Sequence, residues 1–103
     1  YEYTDVSAAE AKQLIEDTPN LVIIDVSPHY DKGHLPGSIG YYPSSELQAA
    51  IPTLDAEATY LVYCHADGPS RSGAQALADA GLTVYRLESH FSGWQDAGYD
   101  IEM

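Results

Sequence analysis

Three things are scarce in this chain of 103 residues: cysteine, positive charge and long apolar runs. With one cysteine, no disulfide can close within the chain and no cysteine-rich zinc site can form. Only four Lys and Arg stand against sixteen Asp and Glu, a formal net charge of −12. Phosphate backbones need Lys and Arg to neutralise them, so nucleic acid is not an expected partner. An anionic membrane surface is disfavoured for the same reason. No apolar run approaches the ~20 residues of a membrane span, and no basic-then-apolar leader opens the chain. The four histidines show no ligand-pair spacing, so neither metal nor cofactor is expected. The first residue is Tyr1 rather than Met. A removed leader, a shortened chain or a domain cut from a longer protein would each account for that. A cytoplasmic location is favoured, with an exported mature form as the alternative.

What is present suffices for one domain over residues 1–103. A chain of this length buries roughly two-thirds of its unfolded surface without staples. Ser7 to Glu10 reads as a capping box, and Ala8, Ala11, Leu14 and Ile15 recur at helical spacing until Pro19-Asn20. Leu21 to Val26 is a continuous, β-branched run, which suits a strand buried on both faces. A polar loop follows from Ser27 to Pro36. Ser38 to Tyr42 reads as a short strand, and Ser44 or Ser45 caps a short helix through Ile51. Thr59 to Tyr63 is a strand, Ser72 to Ala80 a helix, Thr83 to Leu87 a strand and Ser92 to Ala97 a last helical turn. Helices alternating with short apolar strands predict an α/β domain with a mainly parallel sheet.

Ligands of such sheets bind at the carboxyl ends of strands. Two loops leave strands in that direction. One carries Asp25, His29, Asp31 and His34; the other carries Cys64, His65, Asp67 and Arg71. Cys64 closes the apolar run Leu61-Val62-Tyr63 and precedes an alanine-rich helical stretch. Free N–H groups at a helix start, with Arg71 beside them, favour an anion and therefore a thiolate. The alternative for a lone cysteine is an inert, buried thiol packed as a small hydrophobe.

Asp25-Val26, Tyr30 and Gly33-His34-Leu35-Pro36-Gly37-Ser38-Ile39 resemble the amino-terminal signature of rhodanese-like domains. Leu87-Glu88-Ser89-His90-Phe91-Ser92-Gly93-Trp94, with Ala97-Gly98-Tyr99, resembles their carboxy-terminal signature. The resemblance spans nearly the whole chain and puts Cys64 where the family keeps its catalytic cysteine. It implies a three-layer fold, a central mainly parallel sheet of five strands flanked by helices. It also implies sulfur transfer through a Cys64 persulfide. The donor would be thiosulfate or a persulfide, and the acceptor a thiol, cyanide or a protein. The binding cradle would be His65, Ala66, Asp67, Gly68, Pro69, Ser70 and Arg71. Gly68 would let loop amides turn inward, and Arg71 would offer a fork for an oxyanion.

The chain departs from the family pattern in three places. Ser27 stands where arginine usually follows Asp-Val, which removes an expected internal ion pair. Ser89-His90 replaces Gly-Gly. Six residues, His65 to Ser70, separate Cys64 from Arg71, a longer stretch than in ordinary sulfurtransferases or the related cell-cycle phosphatases. That stretch suggests a second reading, an anion-handling enzyme of the phosphatase or arsenate-reductase type; a third is a non-catalytic binding or sulfur-carrier module in which Cys64 passes persulfide between partners. Asp67 adds a negative charge that opposes anion binding unless it faces solvent or pairs with Arg71. His65 either tunes the thiolate or points outward. Asp25 and His34 are expected to hold their loops, Phe91 and Trp94 to lie in the core, and Tyr30, Tyr41 and Tyr42 to line the site mouth.

Overall fold

The structure, a computed structural model, describes residues 3–18, 21–26, 34–35, 38–40, 44–55, 57–64, 67–99 and 101, the side chains of 44–46 and 67–70 excepted. Five parallel strands form one sheet in the order β1-β5-β4-β2-β3, where β1 is Thr4–Val6, β2 Leu21–Asp25, β3 Ile39–Gly40, β4 Thr59–Tyr63 and β5 Thr83–Leu87. The helices are α1 (Ala8–Asp17), α2 (Ser44–Ala50, continued by a 3₁₀ turn Ile51–Thr53), α3 (Asp67–Asp79) and α4 (His90–Asp96). This is the expected three-layer arrangement.

Strand alternation decides what each face buries. Ile24, Val26, Tyr60, Val62 and Cys64 pack with Leu47 of α2 and with Ala74, Leu77 and Ala78 of α3. Ile23, Leu61, Tyr63 and Leu87 pack with Ala8 and Ala11 of α1 and with Phe91 and Trp94 of α4. The central strands serve both clusters, which is why they read as unbroken apolar runs. Small residues set how close the helices come. A Cβ on Gly73 would meet Val26 Cγ1 at 3.2 Å and Leu47 Cδ2 at 3.3 Å, so glycine lets α3 approach β2 and α2 closely.

Several element boundaries match their expected positions. The capping box is complete: Glu10 N–H donates to Ser7 Oγ at 3.2 Å and Ser7 N–H to Glu10 Oε1 at 3.0 Å. The helix ends at Asp17, ahead of Pro19. Strands 59–63 and 83–87 fall where expected. The expected strand over 38–42 is confined, among the described residues, to Ile39–Gly40. The last helix starts at His90 rather than Ser92.

Two differences bear on function. β1 escaped the reading because a strand of three residues, two of them exposed polar, carries no pattern. It is held by the sheet and by Asp5, whose Oδ1 accepts from the buried Arg86 Nε at 2.7 Å. The helix expected from Ser72 begins instead at Asp67. Gly68 and Pro69 read as loop punctuation, but a proline in the first helical turn loses no hydrogen bond, because those N–H groups have no intrahelical partner.

Candidate active site

The early start of α3 reshapes the site. The connection from β4 to α3 is only Cys64, His65 and Ala66; the remaining expected cradle positions, Asp67 to Arg71, form the first turns of a 13-residue helix. Gly68 therefore lies in helical backbone rather than in an open loop. The N–H groups available near Cys64 are those of a helix N-terminus, which carries partial positive charge. His65 and Ala66 lie outside the described residues, and so do Ser27, His29, Tyr30, Asp31, Tyr41 and Tyr42. For Asp67, Gly68, Pro69 and Ser70 the backbone alone is described. Arg71 sits one turn into α3 and is exposed.

Cys64 is 1% exposed and follows the last residue of β4. It continues the Tyr60–Val62 alternation, which puts its side chain on the α2/α3 face. Its carbonyl accepts from Phe91 N–H at 3.0 Å, so the first turn of α4 braces the backbone that carries the thiol. The residue before that contact, His90, has φ of +63°, a conformation that favours glycine. This is the position at which the chain departs from the family's Gly-Gly. Gly93 is required by the same turn, because a Cβ there would collide with the Cβ and Oγ of Ser89.

On the opposite face, Tyr63 makes a contact that the sequence reading missed. Tyr63 is fully buried, and its hydroxyl accepts from Leu35 N–H at 2.9 Å and lies 3.3 Å from Ser38 Oγ. The segment following His34 is thereby clasped to the strand that carries Cys64. Burial pushes the Tyr63 phenol far above its ordinary range; Ser38 lowers it, and the negative charge of Asp25 raises it further. Asp25 is fully buried at the end of β2, in register with Tyr63, and Val26 N–H donates to the Tyr63 carbonyl at 3.1 Å. A signal for this network was available: a tyrosine on a strand buried on both faces must find a partner for its hydroxyl. Phe91 and Trp94 lie in the core as expected, and His34 is half-buried.

The geometry juxtaposes a thiol at a strand's carboxyl end with a helix N-terminus three residues later. That arrangement suits a nucleophile that becomes or binds an anion. No group of acidic, histidine and cysteine side chains among the described residues has the geometry to hold a metal ion. No described helix is long and apolar enough to cross a membrane.

Comparison with known proteins gives a consistent result. Among solved structures, a rhodanese-related protein from Thermoplasma volcanium aligns with a TM-score of 0.83 and 24% identity, over 97% of this chain and 98% of that one. The rhodanese-like domain of an Anabaena protein aligns with a TM-score of 0.83 and 24% identity, over 95% of this chain and 77% of that one. A protein of unknown function from Rhodopseudomonas palustris, described as a possible tyrosine phosphatase, aligns with a TM-score of 0.83 and 26% identity over 97% and 85% of the two chains. The rhodanese-like domain family model matches residues 7–97. The chain belongs to the rhodanese-like domain family.

Proposed function

We propose that this chain is a sulfurtransferase whose nucleophile is Cys64. The Cys64 thiolate attacks the outer sulfur of thiosulfate or of a persulfide. A bond forms between Cys64 Sγ and that sulfur, the donor's own sulfur–sulfur bond breaks, and its electron pair leaves with sulfite or a thiolate. The enzyme then carries Cys64–S–S⁻. Cyanide, a thiol or a protein acceptor attacks the terminal sulfur, takes it as thiocyanate or a new persulfide, and returns the thiolate.

One observation carries the reading: Cys64 directly follows the last residue of β4 and precedes the N-terminus of α3 by three residues. Burial alone would suit an inert thiol equally well; a strand end facing a helix start suits a persulfide anion, which needs convergent N–H donors. Arg71, exposed and one turn into α3, has the planar fork that suits the oxyanion that arrives or departs.

A second reading, phosphate-ester hydrolysis, draws support from the description of the Rhodopseudomonas palustris protein and from the stretch between Cys64 and Arg71. A third is a carrier that loads sulfur but does not turn over. Thiocyanate production from thiosulfate and cyanide, run beside hydrolysis of a generic aryl phosphate, separates the three. Sulfur transfer predicts thiocyanate turnover that Cys64→Ser abolishes. Ester hydrolysis lost in that variant would establish the phosphatase reading, and loading without thiocyanate would establish the carrier.

A further inference from the structure

A concavity lies away from Cys64, at the edge of the sheet, where α1 packs by β1. It encloses about 370 Å³. Val6, Leu14 and Tyr85 give it apolar surface, Glu10 and Asp17 bring two carboxylates from α1, and no lysine or arginine lines it among the described residues. We propose that this groove is a docking site for an extended, basic segment of a partner protein, with an apolar side chain between two cationic ones.

Charge selects the occupant. Asp5 is compensated by Arg86, whose buried guanidinium is turned away from solvent. Among the described residues no cation pairs with Glu10 or Asp17: Glu10 Oε1 accepts from the Ser7 backbone and Asp17 Oδ2 from the Gln13 amide at 2.7 Å, both neutral donors. The groove therefore keeps at least two negative charges, spaced along α1 and exposed. On a protein of net charge −12 that field attracts cations and repels acidic chains. Two charges over an apolar surface call for a segment carrying both lysine and an aliphatic residue, which a small polyamine lacks.

Backbone supplies the second element. β1 is the edge strand of the sheet; among the described residues its pairing is with β5 alone. An edge strand offers its outer N–H and C=O groups to an added strand. A chain laid there points alternate side chains toward α1, so residues two apart reach Glu10, the apolar surface and Asp17 in turn. The edge strand is only three residues long, so backbone pairing orients the segment and the two charges supply most of the selectivity.

The test uses the full chain and a fluorescent peptide of sequence Thr-Lys-Thr-Val-Thr-Lys-Thr, followed by anisotropy at low salt. The double variant Glu10→Gln, Asp17→Lys is designed to fold: glutamine keeps the capping box, and lysine suits a helix C-terminus. The expected result is saturable binding that weakens about tenfold or more in the variant and falls with added salt. Amide shifts on titration should concentrate at Thr4 to Val6. A peptide with glutamate in place of both lysines should not bind. Absence of saturable binding, equal binding by the variant or by the glutamate peptide, shifts centred elsewhere, or full displacement by equimolar spermidine would each overturn the proposal. None of these readouts involves Cys64 chemistry, so the outcome is independent of the catalytic reading.

Discussion

Replacing Tyr63 by phenylalanine isolates the clasp between β4 and the segment after His34. The substitution keeps the ring and its packing and removes one oxygen. At neutral pH, the buried Leu35 N–H loses its acceptor at 2.9 Å, whereas the 3.3 Å contact to Ser38 is long and contributes little. An orphaned buried amide costs about 1–3 kcal/mol, and relief from burying the hydroxyl returns part of it, leaving a loss of about 1.5 kcal/mol. For a domain of this size that lowers Tm by about 6–10 °C. Alkali changes the comparison. The phenol is raised above its ordinary value of 10.0 chiefly by burial. Below pH 10 it is neutral in both states, and its contribution to stability is intact. Above that point the unfolded chain ionises Tyr63 while the folded chain keeps it neutral, so the wild type loses about 1.4 kcal/mol per pH unit from this group alone. The variant has no such term. Urea unfolding at a series of pH values should show a gap between the proteins that is constant to about pH 9.5 and nearly closed by about pH 11. A gap that stays constant across that range would refute the reasoning that Tyr63 is buried as a neutral, bonded phenol.

Three further outcomes follow from the same geometry. His90→Gly relieves a left-handed backbone and should raise stability by about 0.5–1 kcal/mol in denaturant unfolding, the strain relief exceeding glycine's added chain entropy; an equal or lower midpoint would contradict it. Gly93→Ala drives a methyl into Ser89 and should destabilise by about 1–3 kcal/mol, and a neutral result in the same assay would count against that close contact. Asp67→Asn removes a carboxylate at the start of α3 and should speed alkylation of Cys64 at neutral pH, read as the rate of iodoacetamide labelling. An unchanged rate would show that Asp67 faces away from the thiol.

The fold was legible where apolar pattern and caps agree. Ser7 and Glu10 mark a helix start at atomic level, and Thr59–Tyr63 and Thr83–Leu87 are short stretches rich in β-branched and aromatic residues. β1 was not legible, because its hold on the sheet comes from pairing with β5 and from the Asp5–Arg86 contact, both distant in sequence. The place of Cys64 at the end of a strand was legible, and the shape of its surroundings was not. Cys64 stands at the strand end that its neighbours indicate. Gly68-Pro69 suggested a long loop, yet the helix claims both, since its first turn asks for no N–H from proline. The lengthened stretch between Cys64 and Arg71 is a short connection followed by a helix N-terminus. The Tyr63 clasp depends on Leu35, 28 residues away, and no local pattern reports it.

The central claim is that Cys64 is the sulfur-bearing nucleophile. Intact-mass analysis after incubation with thiosulfate or polysulfide tests it most directly, with Cys64→Ser in parallel and circular dichroism to confirm that the variant is folded. The wild type should gain the mass of one sulfur atom, lose it on addition of cyanide, and the variant should gain nothing. A wild type that stays unmodified by both donors, or a folded variant that loads sulfur equally, would contradict the account.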